Sequence, residues 1–259
     1  MKFRSSYIAA IALFFCLMLN ATTTSASTGI YLNMDSANAA YNKGNYAKAI
    51  TFYQKFLGEG IESGQAYYNL GNCYYRTNEI PKAILYYEKA QKLTPGDPDI
   101  EFNLQLANQK ITDKINSDTP LFIYSDWKKF ENKFTEKQWA LFCIALLCIS
   151  LLLFVSYLSA AKLLIRQLSF WSGVVVFFFS LFTFILAHQQ YELLNSHDTA
   201  IVMSSTVTVK GAPDEKATQL FVLHEGTKVS IVKTEGEWIE VKLPNGNQGW
   251  LYSSDISEI

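Results

Sequence analysis

The sequence predicts a multi-domain chain with three parts: all-α helical repeats, a two-helix transmembrane hairpin and a small all-β barrel. Three observations support this. A pattern with a period of 34 residues recurs in the first half, two uncharged apolar runs follow it, and apolar residues then alternate at period two. With 259 residues, 49% of them hydrophobic and 17% charged, the chain is long enough for several domains and too apolar for disorder.

The start of the chain has the features of an export signal. Lys2 and Arg4 precede an apolar run over 8–19, and the small, polar stretch "NATTTSASTG" follows. This order predicts a signal peptide over 1–26 that is cleaved after Ala26. The alternative is an uncleaved anchor, and it predicts the same export, because both basic residues would still hold the start in the cytoplasm.

The two apolar runs, 139–161 and 168–187, contain no charged side chain and are near the length that spans a bilayer. They predict two transmembrane helices. The segment "KLLIRQ" between them is short, so the helices form a hairpin, and Lys162 and Arg166 at its tip favour a cytoplasmic loop. Both soluble parts are therefore expected on the extracytoplasmic side.

The segment 117–138 is predicted to be a linker that leads into the first span. Trp127, Phe130 and Phe134 recur at helical spacing among lysines, which is typical of a helix lying on a membrane surface. An ordinary linker helix fits the same residues, and the two interpretations stay open. Thr135 and Gln138 have capping-box spacing and predict the start of the first span.

The residues between the signal and the linker form a helical repeat. Ala49, Ile50 and Tyr53 recur as Ala83, Ile84 and Tyr87, each offset by 34. This period and the spacing of Gly71, Ala83 and Pro95 resemble the tetratricopeptide repeat (TPR). In that resemblance Gly71 and Ala83 allow close helix contact, while Tyr67, Tyr74 and Tyr87 fill the space around them. We predict TPR repeats with a closing helix over 27–116.

The resemblance implies a concave surface lined by the first helix of each repeat. Amide side chains there could hydrogen-bond an extended peptide, with aromatic rings as packing surfaces. The alternatives are a merely solvated polar face, or a groove filled by the protein's own linker. The expected peptide-groove residues are Asn38, Tyr41, Gln65, Tyr68, Asn69, Asn72, Tyr75, Arg76, Phe102 and Asn103.

The last part, 198–259, changes to a strand pattern. "AIVM", "STVTV", "TKVSIVKT", "EWIEVKL" and "NQGWLY" read as short strands, with Asn245 and Gly246 at a hairpin turn. Together with "EGTKVSIV" and "NGNQGWLYSSDI" they resemble the bacterial SH3 (SH3b) domain, a small SH3-like barrel that binds peptide or peptidoglycan. Trp238, Trp250 and Tyr252 are the expected SH3 surface, although the two tryptophans also suit a barrel core.

Other function classes lack support in the sequence. No nucleophile pattern lies near His188, His197 or His224, and the cysteines form no metal or disulfide framework, so we expect no catalytic residues, no metal and no cofactor. Cys73 is expected to be a buried apolar residue. A net charge of −1 argues against nucleic acid as a partner, and spans without charged residues argue against a transporter.

The order of signal peptide, TPR repeats, membrane hairpin and SH3b domain resembles the TPR/SH3 membrane proteins of the Bat aerotolerance operons. The resemblance implies a scaffold in the bacterial cytoplasmic (inner) membrane with its soluble domains in the periplasm. It further implies a role in aerotolerance or stress, with membrane-bound von Willebrand A domain proteins as partners beside the lipid bilayer. A cell-wall sensor that binds peptidoglycan through the SH3b domain is the alternative.

Overall fold

The computed structural model describes residues 28–114 and 122–259, with side chains over 34–114 and 126–259. The predicted signal peptide and the first residues of the predicted linker lie outside the described residues. The architecture is helical repeats, two long apolar helices and an antiparallel sheet, as predicted. The helices of the repeat region are α1 (Thr28–Asn42), α2 (Tyr46–Gly58), α3 (Gly64–Arg76), α4 (Ile80–Leu93) and α5 (Pro98–Asn108).

The helices of the repeat region pair as the 34-residue period predicts. α1 packs on α2 and α3 packs on α4, with Ala49, Tyr53, Ala83 and Tyr87 fully buried between them. The turn inside each pair needs a left-handed residue, supplied by Gly44 (φ 74°) in the first repeat and by Asn78 (φ 64°) at the equivalent position in the second. Asn is one of the few residues other than glycine that adopts this conformation readily.

The closing helix is shorter than predicted. α5 begins after Asp97, whose carboxylate accepts from the backbone N–H of Asp99 and Ile100, and ends at Asn108 rather than near residue 115. Residues 109–114 continue as an irregular segment. As described below, that segment reaches the SH3b domain.

The predicted hairpin consists of α7 (Glu136–Ser159) and α8 (Leu163–Asn195). Both helices are long and apolar enough to cross a membrane. α8 extends beyond both ends of its predicted apolar run, so the turn between the helices is only 160–162. The predicted capping box at Thr135 and Gln138 is present, which explains why α7 begins three residues before the first apolar residue.

Small polar side chains hold the two long helices together. Ser150 Oγ donates to the Gly173 carbonyl at 3.1 Å, Ser180 Oγ donates to the Cys143 carbonyl at 3.0 Å, and the Ser156 and Ser169 hydroxyls lie 3.0 Å apart. Most of the large apolar side chains of both helices point outward instead. In water this surface would be strongly unfavourable, whereas lipid chains would solvate it.

Between the repeats and the hairpin lies α6 (Phe122–Glu131). The backbone carbonyl of Glu131 accepts from Trp139 Nε1 of α7 at 3.0 Å, and Asn132 Oδ1 accepts from Gln190 Nε2 of α8 at 3.0 Å. Phe134 packs edge-to-face on Trp139. The end of α6 is therefore joined to both long helices.

The C-terminal domain is an antiparallel sheet in the order β3-β2-β6-β5-β4-β1-β7. Its strands are β1 (Thr199–Val202), β2 (Thr206–Lys210), β3 (Gln219–His224), β4 (Lys228–Glu235), β5 (Trp238–Lys242), β6 (Gln248–Tyr252) and β7 (Ile256–Glu258), with a 3-10 turn at Ser253–Asp255. The expected β5–β6 turn is present, since the Gly246 N–H donates to the Leu243 carbonyl. The sequence pattern did not predict β3 and β7.

The repeats and the SH3b domain pack directly against each other, which their separation in sequence did not suggest. Ile201 and Ile259 of the sheet join the same buried cluster as Ile84 of α4. Lys228 Nζ lies 2.7 Å from Glu88 Oε2, and Lys92 Nζ donates to the Ile259 carbonyl at 3.1 Å. The two soluble domains thus form one continuous body through α4.

The carboxylate of Asp113 makes several hydrogen bonds across this interface. Its Oδ2 accepts from the His224 backbone N–H at 2.7 Å and from Thr227 Oγ1 at 2.8 Å, and its Oδ1 lies 2.7 Å from His224 Nδ1. Ile111, two residues earlier, packs against Gly226. The irregular segment after α5 therefore ties the end of the repeats to the β3–β4 turn.

Candidate functional site

The first helices of the repeats carry a chain of hydrogen-bonded asparagines. Asn38 Oδ1 of α1 accepts from Tyr53 Oη at 2.6 Å and from Asn69 Nδ2 of α3 at 3.2 Å. Gln65 Nε2 donates in turn to Asn69 Oδ1 at 3.1 Å. A buried tyrosine of the second helix thus positions an amide that links two first helices.

The same arrangement recurs one repeat later. Asn72 Oδ1 of α3 accepts from Tyr87 Oη at 2.7 Å and from Asn103 Nδ2 of α5 at 3.1 Å. Asn103 Nδ2 also donates to Tyr68 Oη at 2.8 Å, so both of its amide hydrogens are used. Asn38 and Asn69 are each 34 residues from their counterparts Asn72 and Asn103. We call these four residues the asparagine ladder.

The amides of the ladder have a structural role that the sequence did not predict. Asn69 and Asn103 were predicted to hydrogen-bond a peptide, but in the structure their side chains donate hydrogen bonds to neighbouring helices. Each such bond contributes about 0.5–1.5 kcal/mol to the free energy of unfolding. Replacing either residue would therefore disturb the repeats as well as any ligand contact.

Aromatic and basic side chains beside the ladder remain accessible. Phe102 of α5 is 60% exposed, and Tyr68 and Tyr75 of α3 are half-buried. Lys110 Nζ lies 4.1 Å from the centroid of the Tyr75 ring, within cation–π range. Arg76 is exposed at the end of α3. We call this accessible surface, formed by Tyr68, Tyr75, Arg76, Phe102 and Lys110, the groove surface.

All ten predicted groove residues lie on α1, α3 and α5, the first helices, and the structure brings them into three groups. One group is Asn38, Gln65 and Asn69, a second is Tyr68, Asn72 and Asn103, and a third is Tyr41 and Arg76, whose side chains interact. Tyr75 and Phe102 lie beside these groups.

Burial controls the titration of the tyrosines that support the ladder. Burial raises the pKa of Tyr53 to about 12, and it raises the pKa of Tyr87 further. Burial also raises the pKa of Tyr41, while the nearby Arg76 guanidinium opposes that rise. All three phenols are neutral donors at physiological pH. Cys73, fully buried as predicted, has its pKa raised to about 12 by burial, so it is not a thiolate nucleophile.

The predicted SH3 surface is only partly accessible. The centroids of the Trp238 and Tyr252 rings lie 4.1 Å apart at an interplanar angle of 30°, and Lys210 Nζ lies 5.2 Å from the centroid of the Trp238 ring. Tyr252 Oη donates to Glu215 Oε1 at 3.0 Å. Trp250, by contrast, is only 9% exposed and lies beneath the Lys233 ammonium, so it packs the barrel instead of forming an accessible surface.

Sequence reasoning missed several residues that organise these surfaces. Tyr87 was expected to fill space between helices, yet its hydroxyl and that of Tyr53 position the ladder. Lys110 lies beyond the repeat consensus, and nothing in the local pattern predicted its contact with Tyr75. The sequence also gave no indication of the contacts of Asp113 and Glu88, because their partners are more than a hundred residues away in sequence.

Comparison with known protein families identifies both soluble domains. Residues 34–98 match the tetratricopeptide repeat, and residues 205–257 match the bacterial SH3 domain. No curated protein matches the chain. The matched segments are domain types that bind proteins, peptides or peptidoglycan. Within the described residues, no cluster of three or more metal-ligating side chains occurs.

Proposed function

We propose that this protein is a non-enzymatic, membrane-anchored scaffold that holds partner proteins at the extracytoplasmic face of the bacterial cytoplasmic membrane. The groove surface of the repeats binds a segment of the partner, and the SH3b domain provides a second binding surface. The apolar hairpin anchors both domains to the bilayer. The predicted signal peptide and the basic hairpin tip support the periplasmic orientation.

The observation that carries this proposal is the separation of the groove surface from the docked SH3b domain. The SH3b domain packs on α4, a second helix, and on residues 111–113, whereas the groove surface lies on α3 and α5 with Lys110 at its edge. Phe102 of the groove surface is 60% exposed. Among the described residues, the interdomain contact thus involves α4 and residues 111–113, and it holds the SH3b domain against the repeats without covering Phe102.

Phe102 is the best residue with which to test the groove surface, because it is exposed and replacing it leaves the ladder intact. In Phe102→Ala, recovery of crosslinked partner from membranes should fall by about fivefold or more, as expected for an aromatic anchor worth over 1 kcal/mol. Leu220→Ala, which removes a side chain that is 50% exposed from β3 of the SH3b domain, is the matched control. Equal recovery from both variants would reject the groove as the binding surface.

A cell-wall sensor is the second candidate, and the close contact of the half-buried Trp238 and Tyr252 rings is the observation that favours it. The accessible part of these rings suits a sugar ring or a peptide side chain. The domain holds five Lys against nine Asp and Glu, which disfavours anionic polymers. Trp238→Ala should abolish muropeptide retention if the protein is a cell-wall sensor, whereas the unchanged protein should retain no muropeptides if it is only a scaffold.

We also propose a place for the scaffold in a Bat-type aerotolerance or stress complex, with membrane-bound von Willebrand A domain proteins as partners. The order of domains supports this proposal, since a repeat groove and an SH3b domain flank one membrane hairpin. The test is crosslinking in the native membrane followed by identification of the partners. Loss of a von Willebrand A domain protein in Phe102→Ala supports the assignment, and recovery without any such protein contradicts it.

A further inference from the structure

The helix α6 places aromatic side chains beside the end of the apolar part of the hairpin. The Trp127 ring lies 6.1 Å from the Phe182 ring of α8, in an edge-on contact. Phe182 is five residues before Ala187, the end of the predicted apolar run, and this places it about 7 Å further along the helix. Trp127 therefore reaches alongside the apolar part of α8.

Two of these aromatic side chains are only partly covered by protein. Trp127 is 42% exposed and Phe130, next to it at 5.9 Å, is 43% exposed. Phe130 also contacts Trp139 at 5.7 Å, and Trp139 itself is buried against Leu186 and Ala187. The exposed aromatic faces thus continue directly into the outward-facing apolar surface of the hairpin.

The charged residues of α6 are arranged to leave this face apolar. Lys128 bridges the buried carboxylate of Glu131 at 2.9 Å, and the Lys129 side chain is 79% exposed beside Asp126. Lys133 lies over the Phe134 ring. Lysines that flank an aromatic face are typical of helices at a membrane surface, where tryptophan is also enriched.

α6 is also fixed to the rest of the protein at its C-terminal end. Its last turn bonds α7 and α8 through Trp139 and Gln190, as described above. A Cβ on Gly96 would lie 2.5 Å from the Asn132 carbonyl oxygen, so the turn between α4 and α5 rests directly on the residue after α6. A helix joined to both the hairpin and the repeats can set the distance between them.

We propose that α6 lies in the outer interface of the bilayer, with Trp127 and Phe130 inserted at the boundary of headgroups and acyl chains, and that it thereby sets the height of the groove surface above the membrane. This inference rests on the proposed anchoring of the hairpin in a membrane. The sequence left open whether this segment is an ordinary linker helix or a helix on a membrane surface, and we propose the second. The occupant of the aromatic face is lipid rather than a protein partner.

Fluorescence quenching by brominated lipid tests the inference on the full chain. The protein is reconstituted in phosphatidylcholine–phosphatidylglycerol vesicles with or without bromine on the upper acyl-chain carbons. Trp127→Phe keeps the ring contacts of α6, so the emission of Trp127 is obtained as the difference from the unchanged protein. Trp171→Phe reports on a residue inside the predicted second span, and Trp238→Phe reports on the SH3b domain outside the membrane.

The expected result is that brominated lipid quenches the Trp127 component about as strongly as the Trp171 component, while the Trp238 component is unaffected. If Trp171 is quenched and Trp127 is not, the hairpin is in the membrane but protein covers the α6 face, and the inference is overturned. If neither is quenched, the anchoring itself fails, and the inference fails with it.

Discussion

At the scale of single residues, the contact between Gly71 and Tyr87 decides how closely α3 and α4 approach. The Tyr87 ring is 1% exposed, and its hydroxyl is held by Asn72 in the asparagine ladder. A Cβ on Gly71 would lie 2.7 Å from two atoms of that ring. Because the ring is held on every side, it cannot move away without breaking the ladder.

The first prediction follows from this contact. Gly71→Ala should destabilise the repeats by about 1–3 kcal/mol through overpacking, despite the better helix propensity of alanine. Gly58→Ala is the matched control, since nothing lies within 4 Å of the added methyl at the end of α2, and it should be neutral or slightly stabilising. Thermal unfolding in detergent measures both. An unchanged melting temperature in Gly71→Ala would mean that the helices are further apart than described.

At the scale of elements, the early end of α5 has a structural consequence. The irregular segment that follows carries Asp113 into contact with His224 and Thr227 at the β3–β4 turn. Burial by itself would raise the pKa of Asp113, but the hydrogen bonds from the His224 backbone, its ring and Thr227 together hold that pKa below its usual 3.8. The ionised carboxylate therefore stabilises the docked arrangement.

The second prediction is the pH dependence of this docking. A carboxyl group with a depressed folded pKa stabilises the folded state fully above its unfolded pKa, near 3.8, and loses that contribution as pH falls through the lower folded value. The protection factors of the β1 amides, which express exchange relative to the intrinsic rate at each pH, should fall over this range in the unchanged protein. Asp113→Asn cannot titrate, so the difference in protection between the two proteins should shrink as the pH falls. A constant difference down to pH 2 would show that the ionisation of Asp113 does not stabilise the docking.

At the scale of the whole molecule, the proposed membrane hairpin would place both soluble domains on the same side of a membrane. The structure agrees with this requirement independently, since the repeats and the SH3b domain share a buried core through Ile84, Ile201 and Ile259. Domains on opposite sides of a bilayer could not make this contact. The interface therefore supports a two-span topology with both domains together.

The third prediction is the direction of that topology. A reporter that is active only in the periplasm should be active when fused after Ile259 and inactive when inserted at Ala161, in the short turn between α7 and α8. Lys162 and Arg166 near this turn favour its cytoplasmic placement. The opposite pattern of activities would place the groove surface in the cytoplasm and reject the proposed site of action.

The sequence by itself determined the elements whose signals are local. The 34-residue period predicted the paired helices, uninterrupted apolar runs predicted the long helices, and capping residues such as Thr135 predicted a helix start within the chain. β3 was missed because its apolar run does not alternate: Leu220 and Val222 are exposed on the sheet edge. β7 was missed because its three residues form a strand only by pairing with β1.

Only the tertiary structure decided which of the predicted side chains are available to a partner. Asn69 and Asn103 are amides at groove positions, but their hydrogen bonds go to neighbouring helices, and a hydrogen-bond partner cannot be read from a residue type. Asp113 and His224 meet across 111 positions of sequence, because the hairpin brings the two domains back to one side. The periodicity of a sequence predicts which face of a helix is buried. Contacts between elements that are distant in sequence depend instead on how all the elements pack together.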